Sequence, residues 1–303
     1  MDKGNDQTTS KSTNGLRLGI VTCSTVPNLT ESEQALIPLF ATQEIIADAL
    51  VWNDASIVWK DYDYLIIRSL WDYHLHLKDF LKWLEDLENY GVKTLNALPL
   101  LKSNAHKFYL KELEKQGFTI VPTIFHEKTK PLDLSSLQGS GWKKAVIKPA
   151  VSASAFLTEK FEVGNFDNIE KKFNGLAHGR DLLIQKFMPQ IQSFGELSII
   201  FFNRKYSHTV LKTAVPNEFR IQSEFGGVAH GYEPNASIIE TAAHILSAFE
   251  GDILYARVDG LVHDGNFILM ELELIEPELF FDHKKGALER FVEATLEIIT
   301  SKT

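Results

Sequence analysis

The apolar and polar positions in the first third of the chain predict strands that alternate with helices. A β-branched apolar run at 16–23 ends in a polar loop, and apolar spacing typical of a helix follows at 32–41. Further strands are predicted at 44–50, 56–59, 64–68 and 92–96, with a helix at 77–90. This alternation predicts a small parallel α/β domain, whose ligands would lie beyond the carboxyl ends of its strands.

The pattern changes after residue 102 to adjacent strands with tight turns, which predicts antiparallel hairpins and an α+β region. Strands are predicted at 119–122, 145–148, 182–187, 196–202, 206–213, 254–262 and 267–275, and helices at 104–116, 237–250 and 286–300. We therefore expect a disordered tail at 1–15, an N-terminal α/β substrate domain at 16–102, a subdomain with phosphate-binding lysines at 103–188, and a C-terminal subdomain with a metal site at 189–303.

Composition and charge exclude several functional classes. The chain has 303 residues, 31 Lys and Arg against 40 Asp and Glu, and a net charge of −9, which argues against nucleic-acid and membrane-surface partners. No apolar run is long enough to span a membrane, and the polar N-terminus does not resemble a signal peptide. With a single cysteine, Cys23, the chain forms no internal disulfide. We expect a folded cytoplasmic protein.

Glu271 and Glu273 lie two residues apart on a predicted strand, so both side chains point to one face. A three-residue hairpin loop at 264–266 places Asp259 opposite Glu271, and three carboxylates then converge. A two-residue loop instead places Met270 opposite Asp259 and puts the acids on opposite faces. Converging carboxylates favour a bound cation, and hard oxygen ligands suit magnesium. The alternative is a solvated outer face of an antiparallel sheet, where such alternation is common.

Basic residues that would hold a phosphate are spread along the second half of the chain. Lys148 ends an apolar run and precedes the small residues 150–155, whose backbone amides allow close approach of an anion. Lys212 and Arg220 offer further cations, and Gly226-Gly227 offers a turn that an anion can approach. The alternative for Lys148 is an edge lysine whose ammonium group reaches solvent.

The segment 68–73, with the sequence RSLWDY, follows a predicted strand and is the candidate substrate-binding edge. Trp71 and Tyr73 line either a substrate pocket or the domain interface. Asp72 either accepts a substrate ammonium group or caps the helix that begins near residue 75. Cys23 has no histidine nearby in sequence, so we interpret it as a structural thiol.

Seven short motifs carry the charged and glycine residues of the second half. They are Lys107, VIKPA with Lys148, IQKFMP at 184–189, GE at 195–196, FR with FGG within 219–227, VDG at 258–260 and MELELIEP at 270–277. In this order they resemble the ATP-grasp superfamily, most closely the prokaryotic glutathione synthetase ATP-binding type and the cycloserine-biosynthesis ATP-grasp ligases. RSLWDY and WNDASIVW at 52–59 extend the resemblance over nearly all of 16–281.

The resemblance implies an α/β pre-ATP-grasp domain followed by an α+β ATP-grasp fold, in which two subdomains clasp ATP. Two lysines would contact its phosphates under a lid at 151–157, a hinge at 185–188 would read adenine through backbone groups, and an acid would hold the ribose. The implied ATP-binding residues are Lys107, Lys148, Ser152, Ala153, Ser154, Gln185, Lys186, Phe187, Met188 and Glu196.

The resemblance also assigns metal, catalytic and substrate roles. Asp259, Glu271 and Glu273 match ligands of one or two Mg²⁺ ions, for which Mn²⁺ substitutes, although Glu273 stands where asparagine is common and adds a negative charge. Lys212 and Arg220 match cations that face the transferred phosphoryl group. The expected substrate-binding residues are Arg68, Ser69, Trp71, Asp72, Tyr73, Gly226, Gly227 and Glu276.

The implied function is that of an ADP-forming, Mg²⁺-dependent ligase that activates a carboxylate as an acyl-phosphate for attack by an amine, between molecules or within one. The substrate would be a small amino-acid-like molecule, and the resemblance also implies a homodimer. Two alternatives stay open: an ATP-binding sensor or scaffold without turnover, and a small-molecule kinase of the ATP-grasp type. Specificity resides in variable loops, so the sequence does not name the substrate.

Overall fold

The structure, a computed structural model, describes residues 15–176, 179–215 and 218–301; the predicted tail lies outside this part of the chain except for Gly15. The first sheet is parallel, with strand order β2-β1-β3-β4. Its strands are β1 (Arg17–Thr22), β2 (Ile46–Val51), β3 (Tyr64–Ile67) and β4 (Lys93–Thr94). The helices of this segment are α1 (Glu31–Gln34), α2 (Leu36–Ala41) and α3 (Leu77–Asn89).

Local hydrogen bonds set two boundaries in this segment. Thr30 begins α1, because its side chain accepts from the Glu33 N–H while the Glu33 carboxylate accepts from the Thr30 N–H, each at 3.3 Å. The strand predicted at 56–59 is wrong. The Asp54 carboxylate accepts from the N–H and the hydroxyl of Ser56, which turns the chain into the 3₁₀ helix Trp59–Asp61.

The helix predicted at 104–116 is two helices, α4 (Leu98–Asn104) and α5 (Tyr109–Lys115). Between them, the Lys107 N–H donates to the Ala150 carbonyl at 2.8 Å, so the chain leaves the helical path to pack against that segment. The strand predicted at 119–122 is also wrong. Pro122 has no N–H to donate, and among the described residues of this stretch the pairing is an isolated bridge from Ile120 to Leu269.

The second sheet is antiparallel, with strand order β5-β8-β6-β7. Its elements are β5 (Thr123–His126), β6 (Lys144–Pro149), β7 (Glu159–Glu162), helix α6 (Asp167–Leu176) and β8 (Leu182–Lys186). Helix α6 packs Ile169 and Phe173 onto Ile147 and Leu182 of the sheet. Lys148 therefore lies near the carboxyl end of a strand held by a small core of its own.

The third sheet is also antiparallel, with strand order β11-β10-β9-β12-β13. Its strands are β9 (Glu196–Phe202), β10 (Lys205–Thr213), β11 (Val228–Tyr232), β12 (Tyr255–His263) and β13 (Asn266–Glu273). The helices are α7 (Gln190–Ser193), α8 (Ala236–Ser247) and α9 (Ala287–Ser301). None of the helices described is long and apolar enough to cross a membrane.

The two faces of β9 enter different cores. Leu197, Ile199 and Phe201 pack with α8, whereas Ile200 and Phe202 pack with α9 and the first sheet. Glu196 and Ser198 alternate with the first set and so share a face with the second. This face of the third sheet is therefore apolar at the end joined to the first sheet and polar at the other end.

A β-bulge sets the register of the β12–β13 hairpin. The turn has two residues, Asp264 and Gly265, both with positive φ, and His263 pairs with Asn266. The pairing shifts by one residue between Asp259 and Gly260, so Asp259 still pairs with Glu271. The two-residue loop predicted as one alternative is present, but it does not put the acids on opposite faces. The bulge instead leaves Asp259 opposite Glu271, the arrangement predicted for a three-residue loop.

Side chains cover the outer edge of β13 at the same level. The Tyr109 hydroxyl donates to the Leu272 carbonyl at 2.8 Å and accepts from its N–H at 2.9 Å. Asn104 donates to the same carbonyl and accepts from the Leu274 N–H, each at 2.9 Å. These bonds satisfy buried backbone groups of an edge strand and fix the orientation of the flanking Glu271 and Glu273.

Candidate active site

A cavity of about 410 Å³ lies between the second and third sheets, above the polar end of the third sheet. Its volume is within the range of pockets that bind small ligands. The predicted site residues that line it are Trp71, Tyr73, Lys107, Lys148, Ser152, Ala153, Ser154, Gln185, Lys186, Phe187, Met188, Glu196, Lys212, Arg220, Gly227, Asp259, Glu271, Glu273 and Glu276.

The strand register brings the charged residues together. Lys212 of β10 pairs with Glu196 of β9, and Asp259 of β12 pairs with Ser198 on one side and Glu271 on the other. Paired residues on neighbouring strands point to one face, so these side chains form two adjacent rows on one face of the sheet. The longer row, Ser198-Asp259-Glu271, ends at Glu271, which contacts Lys148 of the second sheet.

Glu271 links the two lysines from the preceding segments. Its carboxylate lies 3.0 Å from the Lys107 ammonium and 3.2 Å from that of Lys148. Lys107, which is 6% exposed, also donates to the Ser152 carbonyl at 2.6 Å. Burial opposes the ionisation of Glu271, but the two lysines outweigh it and lower the pKa of Glu271 to about 2.

Arg257 is the counter-ion of the other two predicted metal ligands. Its guanidinium donates to both carboxylate oxygens of Asp259, at 2.9 to 3.1 Å, and to Glu273. Burial raises the pKa of Glu273 to about 7, with repulsion from Asp259 and Glu271 adding to it against the attraction of Arg257. Burial and repulsion from Glu273 raise the pKa of Glu276 to about 8. This end of the cavity thus gathers acidic groups that a bound cation would help to ionise.

The donor set at this end of the cavity fits a divalent cation in chemistry. Asp259, Glu271 and Glu273 offer hard oxygen atoms, which suit Mg²⁺, and their mutual repulsion favours a bound positive charge. Among the described residues, no three acidic, histidine or cysteine side chains lie close enough to hold a metal ion in their present positions. The carboxylates instead contact Arg257, Lys107 and Lys148.

Two cations line the cavity from the third sheet: Lys212 on β10 and Arg220 in the loop between β10 and β11. The Lys212 ammonium lies 2.7 Å from Glu196 and 3.6 Å from Asp259. Arg220 pairs with Glu218 at 2.7 Å and stacks 3.7 Å from the centre of the Phe225 ring. Both cations have internal partners, so a phosphate at either one would compete with a carboxylate.

The segment predicted as a lid follows β6 and has an unusual backbone. Ser154, Ala155 and Leu157 have φ values of 46°, 54° and 51°, in the left-handed region that non-glycine residues rarely adopt. The Phe156 ring lies 5.4 Å from the His74 ring of the first domain, and the Arg180 guanidinium lies 5.7 Å from its centre. The segment therefore bridges the first and second sheets.

The predicted hinge, Gln185 to Met188, forms the opposite wall of the cavity. The Lys186 N–H donates to the Pro122 carbonyl at 2.9 Å, and the Phe187 N–H donates to the Lys144 carbonyl at 3.0 Å. The Met188 N–H has no hydrogen bond among the described residues and is open to a ligand. The Gln185 side chain donates to the Thr123 hydroxyl and so links strands β8 and β5.

Several predicted substrate residues lie away from the cavity lining. Arg68 is 1% exposed and pairs with Glu33 at 2.9 Å, and Ser69 donates to the same Glu33. Asp72 accepts from the indole N–H of Trp52 at 2.9 Å. Gly226 is also outside the lining, and Gly227 has a structural reason to be glycine, since a Cβ there would lie 2.0 Å from the Ile221 carbonyl oxygen.

Three residues of the site, Arg257, Asn104 and Tyr109, are not among those predicted from the sequence. Arg257 lies two residues before Asp259 on the same strand, and this period-two spacing puts both side chains on one face. The spacing was a usable signal for Arg257. Asn104 and Tyr109 act on Leu272 and Leu274 across more than 160 positions of sequence, so no local pattern reveals them.

Comparisons with known proteins agree with this architecture. Residues 18–96 match the family model of the N-terminal domain of the D-cycloserine synthetase DcsG. The cycloserine biosynthesis protein DcsG of Streptomyces lavendulae is 23% identical over 280 residues, covering 86% of this chain and 92% of that protein. The crystal structure of D-cycloserine synthetase DcsG superposes with a TM-score of 0.83 at 21% identity, covering 93% of this chain and 99% of that one.

More distant structures share the same arrangement. A D-alanine–D-alanine ligase from Bacillus anthracis complexed with ATP has a TM-score of 0.66 at 15% identity, covering 95% of this chain and 99% of that chain. The ATP-grasp ligase PsnB, complexed with a variant precursor, Mg and ADP, has a TM-score of 0.62 at 11% identity, covering 92% and 98%. This chain has the ATP-grasp fold. The resemblance inferred from the motifs, and the fold class that it implied, are confirmed.

The ATP-grasp fold accounts for the position of the cavity. Two antiparallel sheets face each other across it, and the parallel domain closes one end through Trp71 and Tyr73. Residues 18–96, which match the DcsG N-terminal model, hold the whole parallel sheet except Arg17. The segment that matches the DcsG N-terminal model is therefore the one that contributes this wall.

Proposed function

We propose that the chain is an ATP-dependent, ADP-forming ligase that joins a carboxylate to an amine. The observation that carries the proposal is the position of Glu271, which contacts Lys107 and Lys148 from one side and pairs with Asp259 on the other. Ammonium groups from one subdomain thus meet carboxylates from the other within one cavity. Such an arrangement suits a nucleotide phosphate whose charge is neutralised both by lysines and by a metal ion.

In the proposed reaction, a carboxylate oxygen of the substrate attacks the γ-phosphorus of ATP. The bond from that phosphorus to the oxygen bridging to the β-phosphate breaks, and ADP leaves with the electron pair. The amine nitrogen then attacks the acyl carbon, the carbon–oxygen bond to phosphate breaks, and inorganic phosphate leaves while the amine loses a proton to solvent. An amide forms for each ATP converted to ADP and phosphate.

The chain's own residues position and neutralise the reacting groups. Lys107 and Lys148 would bind the ATP phosphates, with Ser152, Ala153 and Ser154 closing over them to exclude water from the acyl-phosphate. Lys212 and Arg220 would face the transferred phosphoryl group. Mg²⁺, held by Asp259, Glu271 and Glu273, would supply charge neutralisation for the phosphates. The open N–H of Met188 would bind the adenine edge, and Glu196 the ribose hydroxyls.

The names of the relatives support the substrate class. D-Cycloserine synthetase and D-alanine–D-alanine ligase are both named for products built from amino acids, and the former product is a ring. We therefore include amide formation within one molecule in the proposal. In this division of labour, residues 16–102 bind the substrate, 103–188 bind the phosphates, and 189–303 hold the metal.

The proposal predicts release of ADP and inorganic phosphate when the purified protein receives ATP, Mg²⁺ and the right amino acid. A panel of D- and L-amino acids, singly and in pairs, read by phosphate release and product mass, tests it. Lys148→Ala should lose roughly 100-fold or more of the rate, whereas Lys144→Ala, an exposed lysine of the same strand that pairs with Glu162, should not. Release of AMP and pyrophosphate would contradict the mechanism, and a phosphorylated product without condensation would indicate a kinase.

A further inference from the structure

One carboxylate of the cavity lacks a counter-ion within contact distance. Glu276, which follows β13, lines the cavity but has no hydrogen bond and no ion pair with any residue that the structure describes. Its neighbours differ, because Glu271 contacts Lys107 and Lys148 while Glu273 contacts Arg257. Of these three acids, Glu276 is therefore the one that a cationic ligand can pair with without displacing a protein cation.

A buried phenol near Glu276 is also without a partner. The Tyr73 side chain is 3% exposed, yet it lines the cavity, and its hydroxyl has no hydrogen bond to any of the described residues. The charge of Glu276 acts on this hydroxyl more strongly than that of any other residue. Because Tyr73 lines the cavity, a polar ligand atom can bond to its hydroxyl without displacing a protein partner.

The surroundings of these two groups favour an organic cation over a metal ion. Trp71 lines the cavity beside Tyr73, and an indole face attracts an ammonium group while offering no oxygen to a metal. A divalent cation needs several oxygen ligands, which the region around Tyr73 and Trp71 does not supply. An ammonium group needs one carboxylate, a hydrogen-bond acceptor such as the phenol oxygen, and an apolar surface for the carbon next to it.

The loop that carries Glu276 is held in place by the first domain and by strand β12. The Arg68 guanidinium donates to the carbonyl of Pro277, the next residue, at 2.7 Å. The Tyr255 hydroxyl donates to the Ile275 carbonyl, on the other side of Glu276, at 2.9 Å. Both bonds are buried, so Glu276 is oriented before any ligand arrives, which lowers the entropy lost on binding.

We propose that Glu276, Tyr73 and Trp71 form a subsite for the ammonium group of an amino-acid substrate. The inference rests on the proposed function for the class of substrate, and it adds the group by which that substrate is recognised. The subsite explains how an amino acid would be chosen over the corresponding hydroxy acid, which carries the same carboxylate but no cation. It also gives a role to Arg68, which positions Glu276 without reaching the cavity.

Calorimetric titration tests the subsite without turnover. D-Alanine, L-alanine and D-serine are each titrated against D-lactate, L-lactate and D-glycerate, with the protein saturated by Mg²⁺ and a non-hydrolysable ATP analogue. Wild-type protein should bind at least one amino acid more tightly than its hydroxy-acid counterpart. Glu276→Gln should remove roughly 10- to 100-fold of that preference, because an ion pair becomes a neutral contact. Tyr73→Phe should remove a smaller part of it.

Glu289→Gln is the matched control, since it removes the same charge from an exposed position of α9 outside the cavity lining. Loss of the preference in Glu276→Gln but not in Glu289→Gln supports the subsite. Equal binding of amino and hydroxy acids to wild type, an unchanged preference in Glu276→Gln, or no binding of any of the six compounds overturns it. The ligase proposal is judged separately by ADP release, so either can fail while the other stands.

Discussion

The Arg68 guanidinium donates a hydrogen bond of 2.7 Å to the carbonyl of Pro277, which lies 209 positions later in the chain. Arg68 follows β3 of the parallel sheet, and Pro277 lies in the loop after β13, so this bond joins the first domain to the candidate active site. Glu33 neutralises the buried guanidinium with contacts of 2.9 and 3.0 Å. An ion pair buried at a domain junction thus sets the position of an active-site loop.

Replacement of Arg68 should therefore affect both stability and substrate binding. Arg68→Met leaves the Glu33 carboxylate buried without a cation, and we expect a loss of about 3–5 kcal/mol in the free energy of unfolding. The double variant Glu33→Leu, Arg68→Met removes both charges and should recover part of that loss, measured by urea denaturation, because the Thr30 N–H and the Ser69 hydroxyl also lose their acceptor. The amino-acid affinity of the double variant should stay weakened, because Pro277 still lacks its donor. Full recovery of affinity would contradict a positioning role for Arg68.

The charge of Glu273 should influence the requirement for magnesium. Glu273→Gln keeps the shape of the side chain and leaves Arg257 bound to Asp259, so the fold should persist. We expect the Mg²⁺ concentration for half-maximal ADP release to rise roughly 10-fold, an effect typical of weakened metal sites. Glu289→Gln, at an exposed position of α9, is the charge control. An unchanged Mg²⁺ dependence would exclude Glu273 from the metal site.

Gly260 should be essential to the bulge that aligns the acids. A Cβ at this position would lie 2.4 Å from the Phe267 ring and 2.5 Å from the Ile268 carbonyl oxygen. Gly260→Ala must therefore shift β13, and we expect a loss of roughly 2–4 kcal/mol in stability together with loss of Mg²⁺-dependent turnover. Gly139→Ala meets no atom within 4 Å and should change stability by less than about 1 kcal/mol. Thermal unfolding of both variants measures these losses. An equal loss of stability in Gly260→Ala and Gly139→Ala would show that the contact at Gly260 is unimportant.

His208 should make stability depend on pH. Burial lowers its pKa from 6.5 to about 4, against hydrogen bonds to the Leu279 and Phe280 carbonyls, and Arg290 and His283 lower it further. Between pH 4 and 6.5 the unfolded chain binds more protons at this residue than the folded one does. The free energy of unfolding should therefore increase by roughly 3 kcal/mol as the pH rises from 4 to 6.5. Above pH 6.5, His208 should contribute no further increase. Denaturation at several pH values should show a smaller slope for His208→Asn, and an equal slope would contradict the assignment.

Much of the fold follows from local sequence patterns. Strand β9 was predicted with its observed limits, because an apolar run between Gly195 and the turn at Asn203 has clear boundaries. The predicted helix at 104–116 failed since the Lys107 backbone bonds to Ala150, a contact that only the tertiary structure creates. For the candidate site, the motif order located the lysines and acids. It did not reveal that Arg68 and Asp72 serve internal contacts, because burial at a domain junction leaves no periodic signal.

The register of the β12–β13 hairpin is another feature that local sequence patterns did not determine. The sequence offered two loop lengths with opposite consequences for Asp259, and the extra residue Met270 on β13, opposite Gly260, removed the choice. A glycine inside a strand is a known sign of irregular pairing, so part of the information was present in the chain. It was not decisive, because glycine in a strand also marks close backbone contacts without a shift in pairing.

The bulge separates the tip of the hairpin from the carboxylates. Asp259 and Glu271 pair below it, where Asn104 and Tyr109 hold β13, while the Asp264-Gly265 turn lies above it. Insertions or deletions at the tip during evolution would be absorbed between Gly260 and the turn, without rotating the acids to the other face. The part of this hairpin between Gly260 and the turn is thus free to vary in sequence and length. The part that carries Asp259 and Glu271 is held by Asn104 and Tyr109 and keeps its carboxylates in place.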